Sequence, residues 1–302
     1  VGKLITYPVI FLSIAAGFFF PYGRHIKWLI PYCLALLVFI GFLKTDFSLS
    51  QLKRKEIPLY AVITFICMPF ISYLLFKFHF SFDYQIGLFM VAIAPTGLAM
   101  SGLIELMPRG DKNSVIAVIT VFTLLSAFYI PWLIFLFFKK SIYINPLSLA
   151  LKLVILIVIP WLFAKAVKYF MTTTVLLKIN RVSYIINFII LFSVIYIAVS
   201  SASSRILSSS SHVVYLFLAV FLLYFIQIFL AGVSGKFFNL SSVKTFISVN
   251  ASKNTQLILI IALLNFGEKA GVPCVLAVLV NHITYSILVF IFYIRERYLK
   301  RY

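Results

Sequence analysis

Apolar residues run in long blocks along this chain, separated by short breaks rich in Lys and Arg. The blocks approach the roughly 20 residues that cross a hydrocarbon core. They lie at 4–20, 29–45, 57–76, 85–107, 114–138, 146–168, 183–200, 213–235, 244–266 and 272–294. The pattern predicts an all-α polytopic membrane protein with ten transmembrane helices. Two of the blocks are interrupted. The fourth holds Ala94-Pro95-Thr96-Gly97-Leu98-Ala99-Met100-Ser101-Gly102, and the ninth holds Ser248-Val249-Asn250-Ala251-Ser252-Lys253-Asn254-Thr255-Gln256. A charged side chain facing lipid at such a depth costs about 2.5–3.5 kcal/mol on insertion scales. Lys253 is therefore expected to face a protein interior or a wet cavity, and it is a functional candidate for that reason.

The spans divide into two halves of five, 1–140 and 141–302. An odd number per half sets the halves in opposite orientations, the inverted-repeat plan of many transporters. Both interruptions then fall on the fourth span of a half. Pro95 removes a backbone donor and Gly97 relaxes the chain, so the carbonyls near Ala92 to Ala94 and the amides of Leu98 to Ser101 are expected to face a central cavity. The half-helices starting near Gly97 and Asn254 present partial positive charge at their amino ends, and both favour an anion. The residues expected to meet substrate are Thr96, Gly97, Ser101, Asn250, Ser252 and Asn254, with His282 added from the tenth span.

Composition agrees with the block pattern. A chain of 302 residues that is 63% hydrophobic and 11% charged, with a mean hydropathy of +1.11, does not describe a soluble globular domain. The net charge of +19 raises nucleic acid as a partner. The basic residues are scattered over short loops, however, without a stripe of interleaved aromatics, so the lipid bilayer is the expected partner and nucleic acid is not. About 17 Lys and Arg fall at the amino end, in the loops after spans two, four, six and eight, and in the tail, against about seven in the opposite loops. The positive-inside rule then places both termini in the cytoplasm of a cell whose inner membrane holds the protein. The first block is followed by Pro21, Arg24 and Lys27 instead of a small-residue cleavage site, so it reads as a span and not a signal peptide. The chain opens on Val1, and its native start is expected upstream. Cys33, Cys67 and Cys274 lie in apolar blocks without ligand spacing and read as small core residues. The stretch Ser200 to Ser211 reads as a solvated outer loop, and Asn187 and Gln227 as interhelical hydrogen-bond partners.

The segment APTGLAMSGLIELMPRGDKNSVIAVITVFTLLS, Ala94 to Ser126, resembles the fourth and fifth spans of the bile acid:sodium symporter family. AAGFFFP at 15–21, LALLVFIGFLKTDFSL at 34–49, VIPWLFAKAVK at 158–168 and SKNTQLILIIALLNF at 252–266 are similar to its first, second, sixth and ninth spans. The resemblance implies a panel of spans 1, 2, 6 and 7 and a core of spans 3–5 and 8–10, with spans 4 and 9 crossing at their broken centres. It also implies organic anion transport, often with sodium, by movement of panel against core. The family's sodium ligands carry over unevenly. The break serine falls on Ser101, but the adjacent asparagine position is Gly102. The fifth-span hydroxyls fall near Ser114 and Thr123, and Gln256 is a further side-chain oxygen in the ninth span. The Gln-Asn pair there becomes Lys253-Asn254, and the glutamate position falls near Val249.

That departure carries the mechanistic expectation. Sodium needs several hard oxygens and gains from a carboxylate, whereas here an ammonium stands where a ligand should be. Repulsion between the two cations at ~4 Å is on the order of 4 kcal/mol at an effective dielectric of 20, enough to empty the site. The sodium site is thus read as degraded, no cofactor is implied, and Lys253 becomes a built-in cation. Transport is then expected to be sodium-independent or coupled to the protonation of Lys253. Glu105, one turn past Ser101, either pairs with Lys253 across the crossing or lies at the interface beside Arg109 and Asp111. Sodium-coupled symport is the alternative reading. An arsenite permease would carry a cysteine where this chain has Thr96 and Met100, and a proton/sodium antiporter would want aspartates deeper than Asp46, Asp83 and Asp111. A channel is the non-transporter alternative. An enzyme is not expected, because no zinc motif or Ser-His-Asp set is spelled in the chain.

Overall fold

The computed structural model describes residues 6–45, 47–97, 110–139, 145–208 and 210–299. Among the described residues the regular structure is helical, apart from an isolated antiparallel bridge between Thr96 and Lys253. In chain order the helices are α1 (Thr6–Phe19), α2 (Pro21–Leu43), α3 (Glu56–Phe76), α4 (Phe82–Ile93), α5 (Lys112–Phe138) and α6 (Pro146–Phe170). They continue as α7 (Thr173–Ser208), α8 (Ser210–Phe237), α9 (Val243–Ala251), α10 (Thr255–Asn265) and α11 (Glu268–Leu299). Seven stretches among them are long and apolar enough to cross a membrane: α2, α3, α5, α6, Ile185–Ser204 of α7, His212–Phe237 of α8 and Glu268–Phe292 of α11. Large apolar side chains such as Phe19, Phe78 and Phe163 stand exposed on the outside, as suits a lipid-facing surface.

Local chemistry explains where the helices begin and bend. Phe20 leaves helical geometry at φ −129°, ψ 73° ahead of Pro21, which ends α1 short of its predicted span and starts the tight 3-10 turns Pro21–Leu29 of α2. Asp111, Asn145 and Ser242 accept backbone N–H bonds at the first turns of α5, α6 and α9. In α3 and α6 a wide π turn, Ile63–Cys67 and Val154–Val158, comes just before Pro69 and Pro160. The widened turn absorbs the donor each proline lacks and the clash its ring makes.

The two short apolar helices occupy the centre. α4 is buried from Ile86 through Ala94, and α10 from Leu257 through Ala262, so each is apolar all round and covered all round. A Cβ at Gly87 would run into the Ala270 carbonyl, which is how closely α4 approaches α11. On the periphery, Tyr196 of α7 donates to the Phe20 carbonyl at 2.9 Å, and Phe39 of α2 meets Phe163 of α6 edge to face.

The serine-rich stretch departs from expectation. It is helical up to Ser208 and again from Ser210, and Ser200, Ser201 and Ser203 are buried. Ser201 bonds the Ile197 carbonyl at 2.7 Å and Ser203 that of Ser200 at 3.0 Å, so their hydroxyls are satisfied by their own helix without a solvated loop.

Candidate functional site

Both interrupted segments break where the sequence places the breaks, and the breaks pair. Past α4 the chain turns extended at Ala94, with φ −59° and ψ 134°. Past α9 it does so at Ser252, with φ −100° and ψ 103°. The Gly97 N–H donates to the Ser252 carbonyl at 3.0 Å, and the Asn254 N–H donates to the Pro95 carbonyl at 2.7 Å. The Thr96 hydroxyl reaches the Val249 carbonyl at 3.0 Å. Each break thus satisfies backbone groups that the other leaves open, as non-helical backbone inside a membrane protein requires. A Cβ at Gly97 would lie 3.0 Å from the Lys253 carbonyl oxygen, so only glycine lets the strands approach this closely without a shift. Asn254 also caps α10, its side-chain oxygen accepting from the Leu257 N–H at 3.2 Å.

Lys253 is 1% exposed and sits at the bridge itself. Its Nζ donates to the Ala92 carbonyl at 3.0 Å, in the last turn of α4. There the helix leaves carbonyls unpaired and carries partial negative charge, which an ammonium complements. The same nitrogen lies 5.7 Å from the centre of the Tyr224 ring, on α8. The Lys253 backbone N–H donates to Asn281 Oδ1 of α11 at 2.7 Å, and the Tyr224 hydroxyl reaches that oxygen at 3.2 Å. Gln227 of α8 donates to Asn250 at 3.3 Å, which bears out its expected interhelical role. Among the described residues no carboxylate pairs with Lys253 Nζ.

Thr96, Gly97, Ser252, Lys253 and Asn254 therefore come together, while Asn250, buried in the last turn of α9, bonds Gln227 and the Phe246 carbonyl. Thr123 is buried on α5 with no partner for its hydroxyl, and Gln256 is half-buried in the first turn of α10. His282 is half-buried next to Asn281 on α11. Ser101 and Glu105 lie outside the described residues.

Ser114 belongs to a different group at the start of α5. Its hydroxyl lies 2.6 Å from Arg54 Nη1, 2.7 Å from Asp111 Oδ2 and 3.0 Å from Glu56 Oε1. Arg54 pairs with Asp111 at 2.6 Å, and the Asp111 N–H donates to the Thr245 hydroxyl of α9 at 3.0 Å. Partial burial pushes the Asp111 carboxyl up, but hydrogen bonds from Ser114 and the Arg54 guanidinium outweigh it and hold the group below its ordinary value. Sequence reasoning placed Asn281 beside His282 in the substrate-facing tenth span without linking it to the lysine, and it missed Tyr224. An Asn in the apolar run Val278-Leu279-Val280 was a readable signal for the first; the second had none.

A family model, described as the sodium bile acid symporter family, matches residues 31–209, more than half of the chain. The match covers the α4 break and stops before Lys253. An uncharacterised sodium-dependent transporter of Bacillus subtilis (strain 168), YocS, is 26% identical over 164 residues. That alignment covers 51% of this chain and 49% of the relative, so the chain matches about half the relative's length.

Proposed function

The chain belongs to the sodium bile acid symporter family, and on that premise we propose that it is a secondary active transporter of a small organic anion, working by alternating access. It is an integral membrane protein of a transporter family, and no enzymatic step is part of the reading. In the proposed architecture, α1, the seven long helices, the broken span begun by α4 and the broken pair α9–α10 make ten spans. They form two inverted repeats, 1–140 and 141–302, with panel and core as the resemblance implies. Both termini face the cytoplasm across the inner membrane.

The observation that carries the mechanism is the Lys253 ammonium bonded to the Ala92 carbonyl at the crossing. Where the resemblance implies a sodium ion held by side chains at the crossing, this chain supplies its own cation. The position carried over from the glutamate is the buried, apolar Val249, whose carbonyl is already taken by Thr96. Transport is then independent of sodium, or coupled to the protonation of Lys253. Sodium-coupled symport is the second reading, supported by the printed name of the Bacillus relative.

Anion uptake into proteoliposomes separates the two. Uptake is expected to be equal with sodium or N-methylglucamine outside, and to be lost in Lys253→Ala. Sodium-stimulated uptake that survives in Lys253→Ala sinks the built-in cation.

A further inference from the structure

At the end of the molecule opposite Arg54 and Asp111, an ion pair joins two helices that are remote in the chain. Lys27 Nζ, in the tight turns that open α2, meets Glu268 Oε1, at the start of α11, at 2.7 Å. In the proposed orientation this is the outer end. Each residue alone has an ordinary reading. An acid in a first turn complements the helix dipole, and a lysine at a membrane boundary reaches for water. Their union follows from neither, because the two are seated in different bodies of the fold.

Lys27 is seated with α1 and α7. Tyr196 of α7 donates to the Phe20 carbonyl at 2.9 Å, and a Cβ at Gly23 would crowd Tyr196 and Ile197. Glu268 is seated with α4 and α10. Gly267, at φ +87°, reverses the chain out of α10, and a Cβ at Gly271 would run into Leu263. The Ala270 carbonyl lies against Gly87 of α4. In the proposed architecture α1, α2 and α7 are panel helices, whereas α4, α10 and α11 are core. The Lys27–Glu268 pair therefore spans the seam between panel and core. Lys269, one residue on, pairs with Asp83 of α4 at 3.8 Å and stays within the core.

The same seam is closer at the outer end than at the inner end. Among the described residues, α10, the outer half of the ninth span, packs on α2 and α7 as well as on α4 and α11. α9, the inner half, packs on α5, α8 and α11, which are core helices. α6 repeats the pattern: from Pro146 to Val158 it packs on α5, and from Ile159 to Phe170 it packs chiefly on α2, its panel neighbour. Along that inner stretch a cavity of about 130 Å³ separates Thr120 of α5 from Phe42, Trp161 and Ala164 of α2 and α6.

We propose that Lys27 and Glu268 form an outer latch: their ion pair holds panel against core on the outer side and biases the protein toward the conformation open to the cytoplasm. The assignment rests on the transporter reading and names a contact that must break for the outer side to open. The two side chains are 36% and 38% exposed, so water screens the pair. Its weight is about two- to fivefold in the ratio of the two conformations. A latch that opens in every cycle has to be of that modest order.

Double electron–electron resonance on the full chain in phosphatidylcholine nanodiscs reads the seam without a substrate. Cys33→Ala and Cys67→Ala leave Cys274, which is 0% exposed and out of reach of a nitroxide reagent. Labels at Tyr22→Cys of α2 and Leu264→Cys of α10 report the outer end, and labels at Tyr169→Cys of α6 and Phe237→Cys of α8 report the inner end. All four positions are exposed. The parent is expected to show mainly a short outer and a long inner distance. Lys27→Gln and Glu268→Gln are each expected to raise the long outer population about two- to fivefold, with a matching rise of the short inner one. Lys27→Glu combined with Glu268→Lys restores the parent distribution. Raising KCl to about 1 M acts on the parent as either substitution does and adds nothing to the variants. Asp83→Asn, which cuts a pair inside the core, leaves both distances as they were.

An outer distance unchanged in both single variants overturns the latch. So does a charge swap that fails to restore the parent, or an equal rise in Asp83→Asn. If the parent nonetheless exchanges between two outer distances, the transporter reading stands without the latch. A longer outer distance in the single variants, restored by the swap but with no change at the inner end, supports the latch and counts against alternating access.

Discussion

Lys253 holds its position by three kinds of contact at once: a carbonyl of α4, the face of Tyr224, and through its backbone the Asn281 side chain. Replacing it with alanine removes the donor from Ala92 and leaves a void among buried groups. Lys253→Ala is therefore expected to lower stability by about 2–4 kcal/mol, read as a fall in melting temperature in detergent. Gly97→Ala tests the neighbouring contact. Its new methyl group meets the Lys253 carbonyl at 3.0 Å, so a loss of about 1–3 kcal/mol is expected, and an unchanged melting temperature would show that the crossing can yield. The burial of Lys253 was legible in the sequence because a charge among apolar residues needs protein around it. Its partners were not. A Tyr inside a span is common enough to pass unnoticed, and the path of a four-carbon side chain depends on which helices surround it.

The helices themselves were read well wherever an apolar block was long and ended on a charge, as in α5 and α8. They were misread at the serine-rich stretch, where composition spoke for solvent while the buried hydroxyls of Ser201 and Ser203 found carbonyls of their own helix. At the amino end of α5, Ser114 was assigned to an ion site from its alignment, yet it is bonded to Asp111, Arg54 and Glu56. Spacing along one span gave no sign of Arg54, which arrives from the loop ahead of α3. Because Asp111 is held below its ordinary value, its contribution to stability is complete above the unfolded carboxylate value of about 3.9 and is lost as pH falls through the lower folded value. Asp111→Asn is expected to melt lower than the parent at neutral pH. Its deficit should shrink as the buffer is taken into the acid range below about pH 4. A deficit that stays constant with pH would show that the carboxylate charge does not matter there.

For the whole molecule, the family match places the chain in a family of symporters, and the proposed role of the resident ammonium predicts how it treats salt. Replacing KCl with NaCl is expected to leave the melting temperature unchanged, since an ion that bound only the folded protein would raise it. A saturable rise with sodium would favour the symport reading. The crossing is tied by main-chain atoms at Gly97, Ser252, Pro95 and Asn254, to which the Thr96 hydroxyl and the Asn281 side chain add further ties. The scaffold and its electrical content are separable in such a joint. If Lys253 stands in for sodium as proposed, the same joint accepts either a tethered charge or a diffusible metal without redrawing the helices. Val249→Glu combined with Lys253→Gln is the two-step change from the first to the second.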